Sequence, residues 1–355
     1  MLKQPSNQEV IEHIRRRPGM YFGNAGVSGV EQFVYELVSN VIDTYLANQA
    51  TLVSVKLTDA SIKVTDDGTG LPFDESSDID GISLATKVLT HVHWTRSWDE
   101  HAPHIHISRL GLGLAPLTAA SAELTVTSWR SGKLWEQKFS KGFAQTTATI
   151  VRTGSGRGTS IEVTPDPELF GQARPRPGVI RRALFEAAHL FSKFAIEFQE
   201  ERFWVPNGLQ DLAFILCDSH CIEEALNPEP FHITFQAENI LVEAAAFGSR
   251  RSRLFSLIGS QVITGYISSR TKRTQTRVFS WVNGARTPDG GSHVEGFLQA
   301  LSQVGWKPAL ILIHVVMYEP EYAGPIRTKL NVPHIREFVC RTLLEPLHQY
   351  QNKII

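Results

Sequence analysis

Cysteine is scarce in this chain: three in 355 residues, too few for a disulfide framework. Nothing at the N-terminus resembles a signal peptide, and no apolar run approaches the roughly 20 residues that cross a bilayer. An excess of one charge is missing as well. Lys and Arg total 35 against 36 Asp and Glu, a formal net charge of -1, so no global basic field announces nucleic-acid binding. The simplest expectation is a cytoplasmic protein with no membrane partner. What is present is an ordinary globular composition, 42% hydrophobic and 20% charged, long enough for two domains with substantial cores.

Two short stretches organise the chain. In the first, Phe33, Val34, Leu37, Val38, Val41 and Ile42 recur at helical spacing and predict an amphipathic helix. Glu36, Asn40 and Asp43 stand four and then three residues apart, which places them on one face of it. The second, Asp66-Asp67-Gly68-Thr69-Gly70-Leu71-Pro72, follows a predicted strand and breaks into a turn rich in glycine and acid. Such a turn brings a carboxylate and bare backbone close to a ligand. Glu and Asn oxygens beside it suit Mg2+, and a carboxylate can accept a proton from an attacking water.

The motifs Arg17-Pro18-Gly19-Met20-Tyr21, Glu36-x3-Asn40-x2-Asp43, Asp66-Asp67-Gly68-x-Gly70-x-Pro72, Gly158-Thr159 and Asp289-Gly290-Gly291-Ser292-His293 follow one another from about residue 10 to about residue 335. In that order they resemble the N-terminal half of the gyrase B protein and its topoisomerase IV counterpart, members of the GHKL ATPase superfamily. The resemblance implies an α+β protein. A Bergerat-type ATP-binding α/β sandwich would occupy residues 1–205, with a short N-terminal arm and a histidine-rich lid at about 73–113. A ribosomal S5-like transducer domain would follow at 206–355. ATP and Mg2+ are the implied cofactors. Glu36 would be the catalytic base, Asn40 the Mg2+ ligand, and Asp66 the acceptor for the adenine amino group, with Thr159 helping through a water. Asp43, Gly68, Gly70, Pro72, Gly111 and Gly113 would complete the nucleotide site. The transducer's switch lysine falls in Pro325-Ile326-Arg327-Thr328-Lys329-Leu330, where Lys329 matches the end of the motif and Arg327 keeps the positive charge at the lysine's position.

The implied function is an ATP-gated homodimer that relays nucleotide state to a separate protein subunit. The expectation is that no cleavage domain follows the transducer. The chain would then be the ATPase subunit of a split topoisomerase-like or DNA-linked system, such as one in defence, or a stand-alone switch. A nucleotide-sensing scaffold with little turnover is the alternative. A histidine kinase relative is weaker, because no phosphoacceptor helix precedes the ATPase motifs.

Along the chain, residues 10–17 read as a short helix stopped by Pro18-Gly19, and 51–57 with 61–65 as a β-hairpin. Strands are expected at 124–128, 134–139, 146–151 and 159–164, and a helix at 179–194. In the second half, strands at 231–236, 240–247, 261–267, 277–282 and 309–316 alternate with helices at 294–304 and 333–350. His91, His93, His101, His104 and His106 make the lid unusual, yet a polar lid is a simpler reading than a metal site. Cys217 and Cys221, flanking His220, lack the companions of a zinc site and read as buried small hydrophobes. The clusters Arg250, Arg251, Arg253 and Arg270, Lys272, Arg273, Arg277 allow a basic groove for DNA, though solvated loop charges explain them as well.

The chain also departs from the resemblance. Arg109 stands near the lid glycines, and Gln32 replaces a histidine near the base. Thr44 and Thr69 replace an acid–base pair beside the adenine, so neither charge is left stranded. Coumarin-type gyrase inhibitors use the arginine that is the basic member of that pair in gyrase B, and weak novobiocin binding is expected; calorimetry giving tight binding would refute it.

Overall fold

The computed structural model describes residues 6–79, 81–92, 113–216, 229–237, 239–248 and 276–354. Several expected features lie outside those residues: most of the N-terminal arm, Arg109, Gly111, four of the five lid histidines, Cys217, His220, Cys221, the strand at 261–267, and the basic clusters apart from Arg277. The chain divides into two compact units, residues 1–185 with 194–204 and residues 186–193 with 205–355.

The first unit opens with α1 (Asn7–Arg16), whose Ser6 and Glu9 form a reciprocal capping box. Pro18-Gly19 does more than stop this helix. Pro18 takes the first position of α2 (Pro18–Phe22), where a missing N–H costs nothing. The long α3 (Val27–Leu46) follows, and all six of its predicted apolar positions are buried. Phe33 stacks on Phe22 at 5.2 Å, and both meet Phe170 edge-on, so α3 is anchored by an aromatic cluster.

The hairpin β1 (Leu52–Leu57) and β2 (Ile62–Asp66) lies where alternation placed it, and α3 packs on it. The short α4 (Leu84–Thr90) and α5 (Leu114–Ala119) follow. Next come β3 (Ser121–Arg130), β4 (Lys133–Ser140), β5 (Phe143–Ala144), β6 (Thr149–Thr153) and β7 (Thr159–Pro165). The short α6 (Pro167–Phe170) and then α7 (Pro177–Leu190) lead to β8 (Ala195–Phe198) and β9 (Glu201–Phe203). These last two strands had no reading from the sequence. Nine strands among the described residues form one sheet, ordered β5-β4-β3-β7-β2-β1-β8-β9, with β6 pairing β4 beside β5. Only β1 and β8 pair in parallel. At the outer rim, β6 carries a bulge at Val151, because Arg152 faces Leu134 while Ile150 already faces Trp135.

The second unit holds β10 (Phe231–Ala237), β11 (Ile240–Phe247), β12 (Arg277–Val282), β13 (Ala285–Arg286) and β14 (Leu310–Met317) in the order β10-β11-β14-β12-β13. The central β14 is buried at every position. Helices α9 (Ser292–Gln303) and α10 (Pro333–Ile354) pack together over a core that includes Phe297, Leu301, Ile335 and Leu343. The sequence offered no signal for α8 (Leu209–Leu216). Its first N–H groups are held by tertiary contact: the buried Glu243 accepts from the Leu209 N–H at 2.7 Å and bonds His232 at 2.8 Å.

Two histidines are fully buried in this unit. His314 accepts from the Gly284 N–H at 3.2 Å, and His293 contacts the Thr287 hydroxyl at 3.3 Å. Burial pushes both imidazoles down to about 3, so both are neutral in the fold. A folded value below the unfolded one means stability is complete above about pH 6.5 and is lost as pH falls toward 3. At pH 5 each such histidine removes about 2 kcal/mol. Urea unfolding followed by tryptophan fluorescence should show the midpoint falling from pH 7 to pH 5. His314→Val should unfold earlier at pH 7, since Gly284 loses its acceptor, yet show a flatter pH profile. An unchanged slope would remove these histidines as the cause.

Candidate functional site

The site grows from the end of β2. Asp66 Oδ1 accepts the Gly68 N–H at 2.7 Å and the Thr159 N–H at 3.2 Å, drawing the turn after β2 and the start of β7 onto one carboxylate. The Gly158 N–H donates to the Gly68 carbonyl at 2.8 Å, and a Cβ at Gly158 would lie 1.8 Å from the Asp66 carbonyl oxygen. Only glycine permits that approach. Ser128 Oγ, on β3, accepts the Leu71 N–H at 2.7 Å and bonds the Thr159 hydroxyl at 3.0 Å. Burial raises the Asp66 carboxyl above the ordinary range, while the Gly68 and Thr159 N–H groups pull it back.

Above this floor is an open cleft. One wall is α3, which presents Leu37, Asn40, Val41 and Thr44 at helical spacing. The rest is Val64, Asp66, Thr69, Gly70, Leu71, Leu114, Thr159 and Ile161. Aliphatic faces with one acidic acceptor at the base suit a flat heteroaromatic ring bearing an amino group.

Of the other predicted residues, Glu36 lies one turn before Asn40 at 3% exposure, and its Oε2 accepts the Gly113 N–H at 3.3 Å. It stands beside the lining residue Leu114 rather than in the lining itself. Asn40 donates its amide N–H to the Glu36 carbonyl at 2.9 Å, which leaves its side-chain oxygen as the atom offered to a ligand. Asp43, one turn further, is half-buried and does not line the cleft. Pro72 ties the turn to α4 by accepting the Ala85 N–H at 3.2 Å. Gln32 donates to the Ser28 carbonyl on its own helix. His91 bonds Thr90, and no group of three or more metal-ligating side chains occurs among the described residues.

Arg327 and Lys329 belong to the second unit, on the loop before α10. Lys329 lies 3.7 Å from Glu295, both exposed. Beside Arg327, burial pushes the Tyr322 hydroxyl up to about 12.

Ser128 is the site residue that sequence reasoning missed. A signal was there: Leu124, Val126 and Ser128 alternate on the buried face of β3, and a hydroxyl in that series needs a buried partner.

Gly70 has φ +81, and a Cβ there would fall 1.9 Å from the Trp129 carbonyl oxygen. Gly70→Ala should therefore deform the cleft and weaken binding of a fluorescent ATP analogue by about tenfold or more. Gly171→Ala has a similar positive φ but open space around it, and should bind as the parent does. Equal affinities for all three proteins would refute the assignment.

Comparison with known proteins finds relatives of this geometry. Residues 27–158 match the family described as histidine kinase-, DNA gyrase B- and HSP90-like ATPase. The DNA gyrase B protein of Borrelia hermsii is 26% identical over 93% of this chain, and that of Treponema pallidum 28% over 96%. These matches take in 53% and 55% of the relatives, so the chain spans about half the length of the curated relatives it matches. Among solved structures, the 43K ATPase domain of Thermus thermophilus gyrase B, in complex with an aminocoumarin, superposes with a TM-score of 0.76 at 24% identity. That match covers 98% of this chain and 93% of the other. The topoisomerase IV ATP-binding domain of Francisella tularensis gives 0.74 at 20%, covering 97% and 92%, and both share the fold. Residues 27–158 thus match a GHKL-type ATPase family, and the chain resembles the N-terminal ATPase domain of DNA gyrase B and topoisomerase IV.

Proposed function

We propose that this protein binds ATP with Mg2+ in the cleft and hydrolyses it, closing as a homodimer while ATP is bound. The observation that carries the reading is the placement of Glu36. It is a buried carboxylate one helical turn before Asn40, beside a cleft whose base is a single acidic acceptor. In this reading Asp66 accepts from the adenine amino group, and Thr159 supports it through a water. Gly68, Gly70 and Pro72 shape the turn against the ring. Gly111 and Gly113 would let backbone approach the phosphates. Asn40 offers its side-chain oxygen to Mg2+, with Asp43 on the same helix face behind it.

The donor set fits these ligands, since the Asn40 side-chain oxygen is a hard donor to a metal that keeps several of its waters, and an aliphatic slot takes the base. When bound, Mg2+ neutralises phosphate charge. Glu36 takes a proton from water as its oxygen attacks the γ-phosphorus, and the bond to the ADP oxygen breaks to leave ADP and phosphate. Arg327 and Lys329 supply positive charge against the γ-phosphate, Arg327 with a geometry suited to two hydrogen bonds.

The second unit would act as the transducer, relaying nucleotide state to a separate subunit of a topoisomerase-like system, with DNA as the candidate effector. No helix among the described residues is long and apolar enough to cross a membrane.

Phosphate release from Mg-ATP, with and without DNA, tests this. Glu36→Ala should lose about 100-fold or more of turnover while retaining nucleotide binding. Unchanged turnover in the variant would overturn the role of Glu36. Binding without turnover in the parent protein would favour a nucleotide-sensing scaffold.

A further inference from the structure

The loop that carries Arg327 and Lys329 is a small ladder. The Ala323 N–H donates to the Lys329 carbonyl at 3.0 Å and the Asn331 N–H to Glu321 at 2.8 Å, with Tyr322 bridging Leu330 between them. The tip is closed by the Arg327 N–H on the Gly324 carbonyl at 3.2 Å. Arg327 itself sits at φ +53, a conformation that a side chain with a Cβ adopts only when its surroundings hold it there. The ladder's outgoing limb is not supported from that side alone.

The other support is the turn that opens α9. The Asp289 N–H donates to the Thr328 carbonyl at 3.1 Å, the Leu330 N–H to Gly290 at 3.0 Å, and the Ser292 N–H to Leu330 at 3.0 Å. A Cβ at Gly291 would lie 2.2 Å from the Leu330 carbonyl oxygen, so a glycine is required for the two segments to touch. Ser292 adds its hydroxyl: Oγ accepts the Val332 N–H at 2.9 Å and donates to the Leu330 carbonyl at 3.4 Å. One buried side chain thereby grips the chain on both sides of Leu330, itself buried in the core. The peptide that leaves this grip in the N-terminal direction leads directly to Lys329, Thr328 and Arg327.

The geometry points to Ser292 as a positioning residue for the basic loop: its hydroxyl, with the turn at Gly291, sets where Arg327 and Lys329 present their charge. This rests on the proposed reading that the two residues act on bound nucleotide. Charge at a γ-phosphate is effective only when it is held in register, and a displacement on the order of 1 Å costs up to about 100-fold.

The experiment measures ATP turnover by the full chain. Ser292→Ala should lower kcat by about tenfold or more with KM for ATP changed little, because the base-binding cleft is untouched. Ser292→Thr keeps the hydroxyl and should restore kcat to near the parent value. In an Arg327→Ala background, Ser292→Ala should cost less than it does in the parent, since one of the two groups it positions is gone. A Ser292→Ala protein that turns over like the parent, or losses that multiply in the double variant, overturns the positioning role. If Glu36→Ala is inactive in the same assay, the proposed function stands regardless. Should the parent protein hydrolyse no ATP, that function falls, and tryptic cleavage after Arg327 and Lys329 decides the positioning. Faster cleavage in Ser292→Ala than in the parent and Ser292→Thr supports it, and equal rates overturn it.

Discussion

One part-buried carboxylate oxygen ties the cleft together. Asp66 Oδ1 collects N–H groups from the turn after β2 and from the start of β7, the latter 93 residues further along the chain than Asp66. Neither could approach so closely with side chains in the way, and Gly68 and Gly158 provide the room. The carboxyl's raised pKa is the electrostatic side of the same arrangement. A group held in low dielectric by a few backbone donors remains a strong acceptor for one more. Under the proposed function the structural tie would also be the recognition element, so loss of either would be loss of both.

Much of this was legible in the sequence, for identifiable reasons. The α3 face was readable because its six apolar positions keep a helical period, and the hairpin because β1 and β2 alternate. Asn40, Asp66, Gly70 and Thr159 do meet around one cleft, while Glu36 stands just beyond its lining and Asp43 away from it. Spacing alone puts side chains on a common face but does not say how far along that face a pocket extends.

The misses share a cause. The strands β8 and β9 have four and three residues, too short for alternation to register, and exist because β1 provides a parallel neighbour. The first turn of helix α8 is held in part by Glu243, 34 residues further along the chain from Leu209, a partner no local pattern announces. Pro18-Gly19 was readable as a stop, but its second use as the start of α2 depends on the fold continuing in a new direction. In the second unit, the glycines and serine of 290–292 were visible as a motif. Their hydrogen-bonding to residues 328–332 spans some 40 positions and could be read only in three dimensions.

The rim of the nine-stranded sheet has a consequence beyond the cleft. A long, flat outer strand invites a stranger chain to extend the ladder and is a seed for aggregation. Here one margin ends in β9, three residues with exposed Glu201 and Arg202. The other ends in the two-residue β5 and in β6, whose register breaks at Val151 and whose Arg152 lies over Trp129. Charge, shortness and a dislocated ladder leave no template of useful length at either margin. A protein whose proposed work is to associate and part with copies of itself keeps its sheet from doing so indiscriminately.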